Sequence, residues 1–172
     1  MKKIVSSFAI LMFTRSVLLI ISNECMAQNL DFKRFAVPGG ISMGLVRCLT
    51  IDEQGYIWFG GVGIFRYDGY QVKAYKNDPL NPNSLGSNTI ESIWAGKNGI
   101  IWIGTKGYGL DRFDPAKSTF THFRMPQLIH NKVSALFEDR DGILWVGTHG
   151  GLDRFDAATG LFIHYTQPVI SN

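Results

Sequence analysis

Cysteine is nearly missing from this chain. Cys25 and Cys48 are the two in 172 residues, and Cys25 falls in a leader-like segment. The remaining thiol then has no intramolecular partner, so packing must hold the fold. Cys48 lies in the apolar stretch 45–51, where a small buried thiol is expected. A reactive thiol would want an adjacent base or a helix N-terminus, and neither is there. Charge of one sign is also lacking. The formal net charge is +3; setting aside Lys2, Lys3, Arg15 and Glu24 of the leader leaves fourteen basic against thirteen acidic residues. No basic patch interleaved with aromatics survives in the sequence, which removes the electrostatic case for nucleic-acid binding. After residue 27 no stretch stays apolar for the ~20 residues that a membrane span requires. Convincing helical periodicity is missing too.

The first 27 residues read as an export signal. Lys2 and Lys3 precede an apolar run over 8–21, broken by Thr14, Arg15 and Ser16, and Cys25-Met26-Ala27 supplies the small residues that a signal peptidase reads. Cleavage after Ala27 and an exported mature chain are expected.

Glycine, in contrast, is plentiful, with 19 residues at regular places. The stretch NGIIWIGTKGYGLDRFD (98–114) recurs as DGILWVGTHGGLDRFD (141–156) and more loosely as QGYIWFGGVGIFRYD (54–68). Trp58, Trp102 and Trp145 stand 44 and then 43 residues apart, and Gly60, Gly104 and Gly147 keep the same spacings. A period of this length in a β-rich sequence is the mark of stacked propeller blades.

Each copy divides into four short strands. The first (LVRCLTID, TIESIWAG, KVSALFED) is followed by a turn at Gly55, Gly99 or Gly142, where Asn-Gly and Asp-Gly predict two-residue hairpins. The second (YIWFG, IIWIG, ILWVG) is apolar at consecutive positions, so both faces of its sheet need cover, which stacked blades provide. A glycine-rich bend follows, with Thr105 and Thr148 at its start in two copies. The third strand ends at Asp68, Asp114 or Asp156, each of which can start a turn by bonding its own backbone. The fourth alternates and is more polar, as an outer strand should be. The connectors 76–88 and 125–131 read as surface loops.

The expected organisation is therefore all-β: a signal peptide (1–27), an N-terminal strand and lead-in loop (28–44), blade 1 with its connector (45–88), blade 2 (89–131), blade 3 (132–166), and the start of a further connector (167–172). About three four-stranded blades make an incomplete propeller, since rings close with roughly four to eight. We read the chain as the leading part of a longer protein, with the strand 30–36 completing the last blade of the ring as a clasp.

The residues EDRDGILWVGTHGGLDRFD (138–156) closely resemble the two-component regulator propeller repeat, and the passage 66–94 looks like the opening of that family. The pattern acidic-x-x-Gly-x-x-Trp-x-Gly-Thr, then a bend and Gly-Leu, recurs in register. Blade 1 departs from it with Gly61 in place of Thr, and blade 2 with Ala95-Gly96 in place of an acidic pair. The resemblance implies the ligand-sensing periplasmic portion of a hybrid sensor histidine kinase, responsive to oligosaccharides, dimeric and anchored in the inner membrane. The remaining blades would be its partners. No kinase residues are in this chain, none of its four histidines sits in a phosphoacceptor context, and no cofactor is implied.

Candidate ligand contacts are the residues that vary within the bends and the long connector: Lys106, Tyr108 and His149, with Asn81, Asn83 and Ser84 expected to reach the same face. The tryptophans are expected to be core rather than sugar platforms. The glycines at 104, 107 and 109 imitate a phosphate cradle, but a strand rather than a helix follows them. Glu138, Asp139 and Asp141 lack calcium-loop spacing. Asp111-Arg112 and Asp153-Arg154 are read as pairs across blades or as solvated charges. The alternative functional class is a secreted propeller enzyme such as a polysaccharide lyase; Glu91 and Arg47, isolated in sequence, do not make the acid–base pair it needs. A non-catalytic binding remnant of a truncated gene is the third reading.

Overall fold

The computed structural model describes residues 44–166. The expected signal peptide, clasp strand and final connector lie outside them. Twelve strands run in three antiparallel sheets, each ordered as its strands occur along the chain. Blade 1 comprises β1 (Cys48–Ile51), β2 (Ile57–Gly61), β3 (Gly63–Tyr67) and β4 (Val72–Tyr75). Blade 2 comprises β5 (Ile90–Ala95), β6 (Ile101–Thr105), β7 (Leu110–Asp114) and β8 (Thr119–Phe123). Blade 3 comprises β9 (Val133–Glu138), β10 (Leu144–Thr148), β11 (Gly151–Asp156) and β12 (Leu161–Tyr165). The first strands β1, β5 and β9 neighbour one another in that order, and the sheets stack from there. No helix among the described residues is long and apolar enough to cross a membrane.

Two apolar cores fill the spaces between blades. Trp58, Ile64, Ile90, Ile93, Ile101, Ile103 and Phe113 pack between blades 1 and 2; Trp102, Leu110, Phe123, Val133, Leu144 and Val146 pack between blades 2 and 3. Every residue of β6 is buried, as its unbroken apolar run requires, whereas β2 and β10 each keep part of one face open. The glycines two residues after Trp58 and Trp102 make this stacking possible. A Cβ on Gly60 would lie 2.6 Å from Ile90 Cγ2, and one on Gly104 would lie 2.7 Å from Val133 Cγ1. In both cases the first strand of the next blade occupies the space a side chain would need.

The connectors are more than surface loops. Leu85 and Leu128, one in each, are 1% exposed and belong to the two inter-blade cores. Each connector thus plugs the seam it crosses.

The hairpins between first and second strands correct the expectation of two-residue turns. Their glycines do take positive φ (82° at Gly55, 71° at Gly99, 81° at Gly142), but three residues lie between the closing pairs Asp52–Tyr56, Gly96–Ile100 and Asp139–Ile143. In blades 1 and 3 an aspartate accounts for the longer turn. Asp139 Oδ1 accepts from the backbone N–H of Asp141 (3.0 Å) and Ile143 (2.9 Å), and its Oδ2 accepts from the Trp145 indole (2.8 Å). Asp52 does the same for Gln54, Tyr56 and Trp58. The indole N–H of Trp145 and these amides hold the Asp139 carboxyl below its ordinary range. Blade 2 has Gly96 at this position, and Glu138 from the next blade accepts from the Lys97 N–H instead (3.2 Å). The motif's acidic residue therefore ties its turn to its tryptophan.

The third-to-fourth-strand turns form as expected. Asp68 accepts from the N–H groups of Tyr70 and Gln71, Asp114 from Ala116 and Lys117, and Asp156 from Ala158 and Thr159.

Candidate ligand-binding face

Strand direction puts the second-to-third-strand bends and the connectors at one end of the blades, and the hairpins at the other. At the bend end, the motif threonine shapes the backbone. Thr105 Oγ1 donates to the Gly109 carbonyl (2.8 Å) and accepts from the Tyr108 N–H (2.9 Å). Thr148 Oγ1 donates to the Gly151 carbonyl (3.0 Å) and accepts from the Gly150 N–H (3.2 Å). Gly61 of blade 1 has no hydroxyl, and that bend shortens to Val62 alone.

The bends of blades 1 and 2 are fastened to the connectors beside them through an asparagine. The Gly63 N–H donates to the Asn88 carbonyl and the Gly109 N–H to the Asn131 carbonyl, both at 2.7 Å. The side-chain oxygens of the same residues accept from the Asn77 and Met125 N–H groups, both at 2.8 Å. Asn88 and Asn131 escaped the sequence reading because connector asparagines look like generic loop residues. Their separation of one repeat was the available signal.

The candidate contact residues fall into two groups. Lys106, Tyr108 and His149 are exposed at the bend end, where connector 124–132 joins them. Arg124 Cζ lies 5.7 Å from the centre of the Tyr108 ring, and its Nε donates to the Tyr108 carbonyl (3.3 Å). The His149 and His130 rings stack at 6.0 Å, and the His149 N–H donates to the Lys132 carbonyl (3.1 Å). Asn81, Asn83 and Ser84 make their hydrogen bonds elsewhere. Ser84 Oγ donates to the Asp78 carbonyl, Asn81 Oδ1 accepts from the Asn83 N–H, and Asn83 Oδ1 accepts from the Phe120 N–H at the far end of β8. Their segment runs down the outer strand of blade 2, because its polar side chains fold the loop back on itself.

Two buried carboxylates change the sequence reading further. Asp111 and Asp153 are fully buried, neither solvated nor paired with arginines across blades. Asp111 Oδ2 accepts from the connector N–H of Gly86 (2.6 Å), and its Oδ1 meets His122 Nδ1 (2.6 Å). Asp153 repeats this with the Ile129 N–H (3.1 Å) and His164 Nδ1 (2.5 Å). Each Asp–His pair is a cross-strand pair in register. Blade 1 has Phe65 opposite Ala74 there, an apolar substitute.

His122 also points Nε2 at the Pro82 carbonyl (3.2 Å). Both ring nitrogens face groups that only accept, so the arrangement is complete when both carry protons. The hydrogen bond to Asp111 raises the His122 pKa above 6.5, against burial and the nearby Arg124 charge. A group raised on folding contributes fully below its unfolded pKa and loses that contribution as pH rises through its folded value. Between about pH 6 and 8.5, the urea midpoint of the wild-type chain should fall relative to that of His122→Gln. Parallel curves would show that the pair carries no net proton linkage.

At the hairpin end, clefts of about 340 Å³ and about 470 Å³ separate blades 1 and 2 and blades 2 and 3. Arg66 and Arg112 line equivalent walls, opposite Trp58 and Trp102, and Arg66 Cζ lies 4.6 Å from the Tyr56 ring centre. Trp58 and Trp102 are 0% and 6% exposed, so they are core rather than platforms. Arg47 and Glu91, separate in sequence, approach to 3.8 Å. Among the described residues no group of three or more His, Cys, Asp or Glu is placed to hold a metal ion. The Cys48 thiol is pushed up to about 11, chiefly by burial, which keeps it unreactive.

Three successive four-stranded antiparallel blades with apolar seams define a β-propeller segment. Residues 127–150 match the family described as two component regulator propeller. Among solved structures it is similar to the extracellular domain of a hybrid two component system from B. thetaiotaomicron, with 27% identity and a TM-score of 0.72, over 80% of this chain and 20% of that one. Two further structures share the fold. Virginiamycin B lyase from Staphylococcus aureus shows 19% identity and a TM-score of 0.60, over 80% of this chain and 46% of the lyase. PorZ, a surface component of the type-IX secretion system of Porphyromonas gingivalis, shows 24% and 0.57, over 74% and 20%. The chain thus spans about one fifth of the hybrid-system domain. No curated protein sequence matches it.

Proposed function

We propose that this chain is part of the periplasmic ligand-sensing propeller of a hybrid two-component regulator, and that its signal is an oligosaccharide. The observation that carries the reading is the 27% identity and 0.72 TM-score to the extracellular domain of such a system across most of the chain. The repeat family at 127–150 supports the same assignment. The N-terminal 27 residues export the chain, and further blades complete the ring. Ligand bound at the bend end changes how two sensor domains pack, and that change is relayed through the inner membrane to a cytoplasmic kinase. Loops on a rigid blade scaffold suit this role, because they vary in sequence without disturbing the seams.

Transcript profiling of a strain lacking the encoding gene tests the reading. Induction of a set of polysaccharide-use genes on one glycan should disappear and return on complementation. Unchanged induction on every glycan that the parent strain responds to would overturn it.

A further inference from the structure

The hairpin end mixes charges of both signs, with Lys97, Lys117 and Arg140 among its aspartates, whereas the loops of the bend end are mainly basic. At the hairpin end Asp52, Asp68, Asp114, Asp139 and Asp156 close turns. The loops at the bend end carry Lys106, Arg124 and Lys132 with the imidazoles of His130 and His149, and the carboxylate there, Asp78, is used in capping the Leu80 N–H (3.0 Å). Glu91 nearby is paired with Arg47. None of Lys106, Arg124 and Lys132 has a carboxylate within salt-bridge reach among the described residues.

These cations come from two loops, the blade 2 bend (Lys106) and connector 124–132 (Arg124 and Lys132), joined by the Gly109 N–H to the Asn131 carbonyl and by Arg124 Nε to the Tyr108 carbonyl. The blade 3 bend is tied on through the His149 N–H to the Lys132 carbonyl. The rim is therefore assembled before any ligand arrives, which limits the ordering cost of binding. We propose that this rim binds an anionic glycan, one bearing carboxylate or sulfate groups; the inference rests on the sensor reading above and narrows its ligand class. Arginine's planar fork matches both groups, and unpaired cations on one end raise the local concentration of anions. Beside these cations the exposed Tyr108 offers one ring face to a sugar. It does not offer the succession of stacking platforms that a single-stranded nucleic acid uses.

The test is direct binding by the full chain, with polygalacturonate and dextran sulfate as carboxylate and sulfate probes and dextran as the neutral one. At least one anionic probe should bind, weaken as salt rises, and lose about tenfold in affinity in the triple variant Lys106→Gln, Arg124→Gln, Lys132→Gln. The charge-keeping triple variant Arg124→Lys, Lys106→Arg, Lys132→Arg should retain most of the parent's affinity. Lys97→Gln with Arg140→Gln, at the hairpin end, should bind as the parent does. Tryptophan fluorescence confirms that each variant is folded. Equal binding of dextran, equal loss in the hairpin-end variant, or no binding of either anionic probe overturns the proposal. So does single-stranded DNA that binds as tightly and is lost with the same substitutions. A strain that keeps its transcriptional response to a neutral glycan would retain the sensor reading while this ligand class fails.

Discussion

Gly109→Ala should destabilise the chain by about 3–5 kcal/mol, combining a left-handed backbone position with a clash in a packed site. Two costs coincide at this residue. Its φ is +81°, where a Cβ is disfavoured, and a Cβ built there would lie closer to the Phe123 carbonyl oxygen than any real contact allows. The obstacle is backbone in the paired strand β8, so no rotamer change relieves it. Movement of Gly109 would also loosen its N–H bond to Asn131 and its carbonyl bond to Thr105. Gly107, two residues earlier in the same bend, is the control. A Cβ there meets nothing within 4 Å and its φ is not positive, so Gly107→Ala should fall within about 0.5 kcal/mol of the parent. Urea midpoints measured on the two variants decide the matter. Equal behaviour of the pair would mean that the bend repacks freely and is not the rigid support a binding rim requires.

The contrast between these two glycines shows what the sequence made legible. The repeat at 43–44 residues located all twelve strands, because the pattern Trp-x-Gly marks a strand packed on both faces and Asp marks the turn after the third strand. Those features depend on local chemistry repeated in register. Less legible were interactions that depend on what the chain meets after leaving its own strand. Asp111 and Asp153 looked like surface charges beside an arginine. Their burial follows from His122 and His164, which the strand register puts opposite them, and from connectors that bring a backbone N–H to the same carboxylate. Leu85 and Leu128 looked like loop residues for the same reason. The hairpin lengths were misjudged because Asp52 and Asp139 bond amides two and four residues ahead, which a glycine-centred turn rule does not consider. Of the candidate contact residues, the three in the bends share a rim because every blade places its bend at the same end. Asn81, Asn83 and Ser84 belong to a loop whose course is set by its own side-chain hydrogen bonds. The basic rim was invisible because its members are dispersed along the chain and only strand direction collects them.

Trp58→Ala should cost about 3–5 kcal/mol, as expected for removing a large buried aromatic, whereas Trp145→Ala should cost under about 2 kcal/mol. Both tryptophans occupy the same motif position and donate to the same kind of aspartate, so local chemistry does not separate them. What differs is the neighbouring blade. Trp58 is 0% exposed, with Tyr75 at 5.7 Å and Phe113 of blade 2 at 5.9 Å. Trp145 is half-buried, on a flank where Phe137, Leu161, Ile163 and Tyr165 stay 43–66% exposed. In a stacked repeat the cost of a substitution is set mainly by the seam it faces. Equal losses in the two variants would show that the turn, not the seam, stabilises each blade. The same measurement separates the segment from a complete ring. If further blades cover blade 3, as proposed, Trp145→Ala in the intact protein should become as costly as Trp58→Ala, because the next first strand would then close over Gly147 as Ile90 closes over Gly60 and Val133 over Gly104.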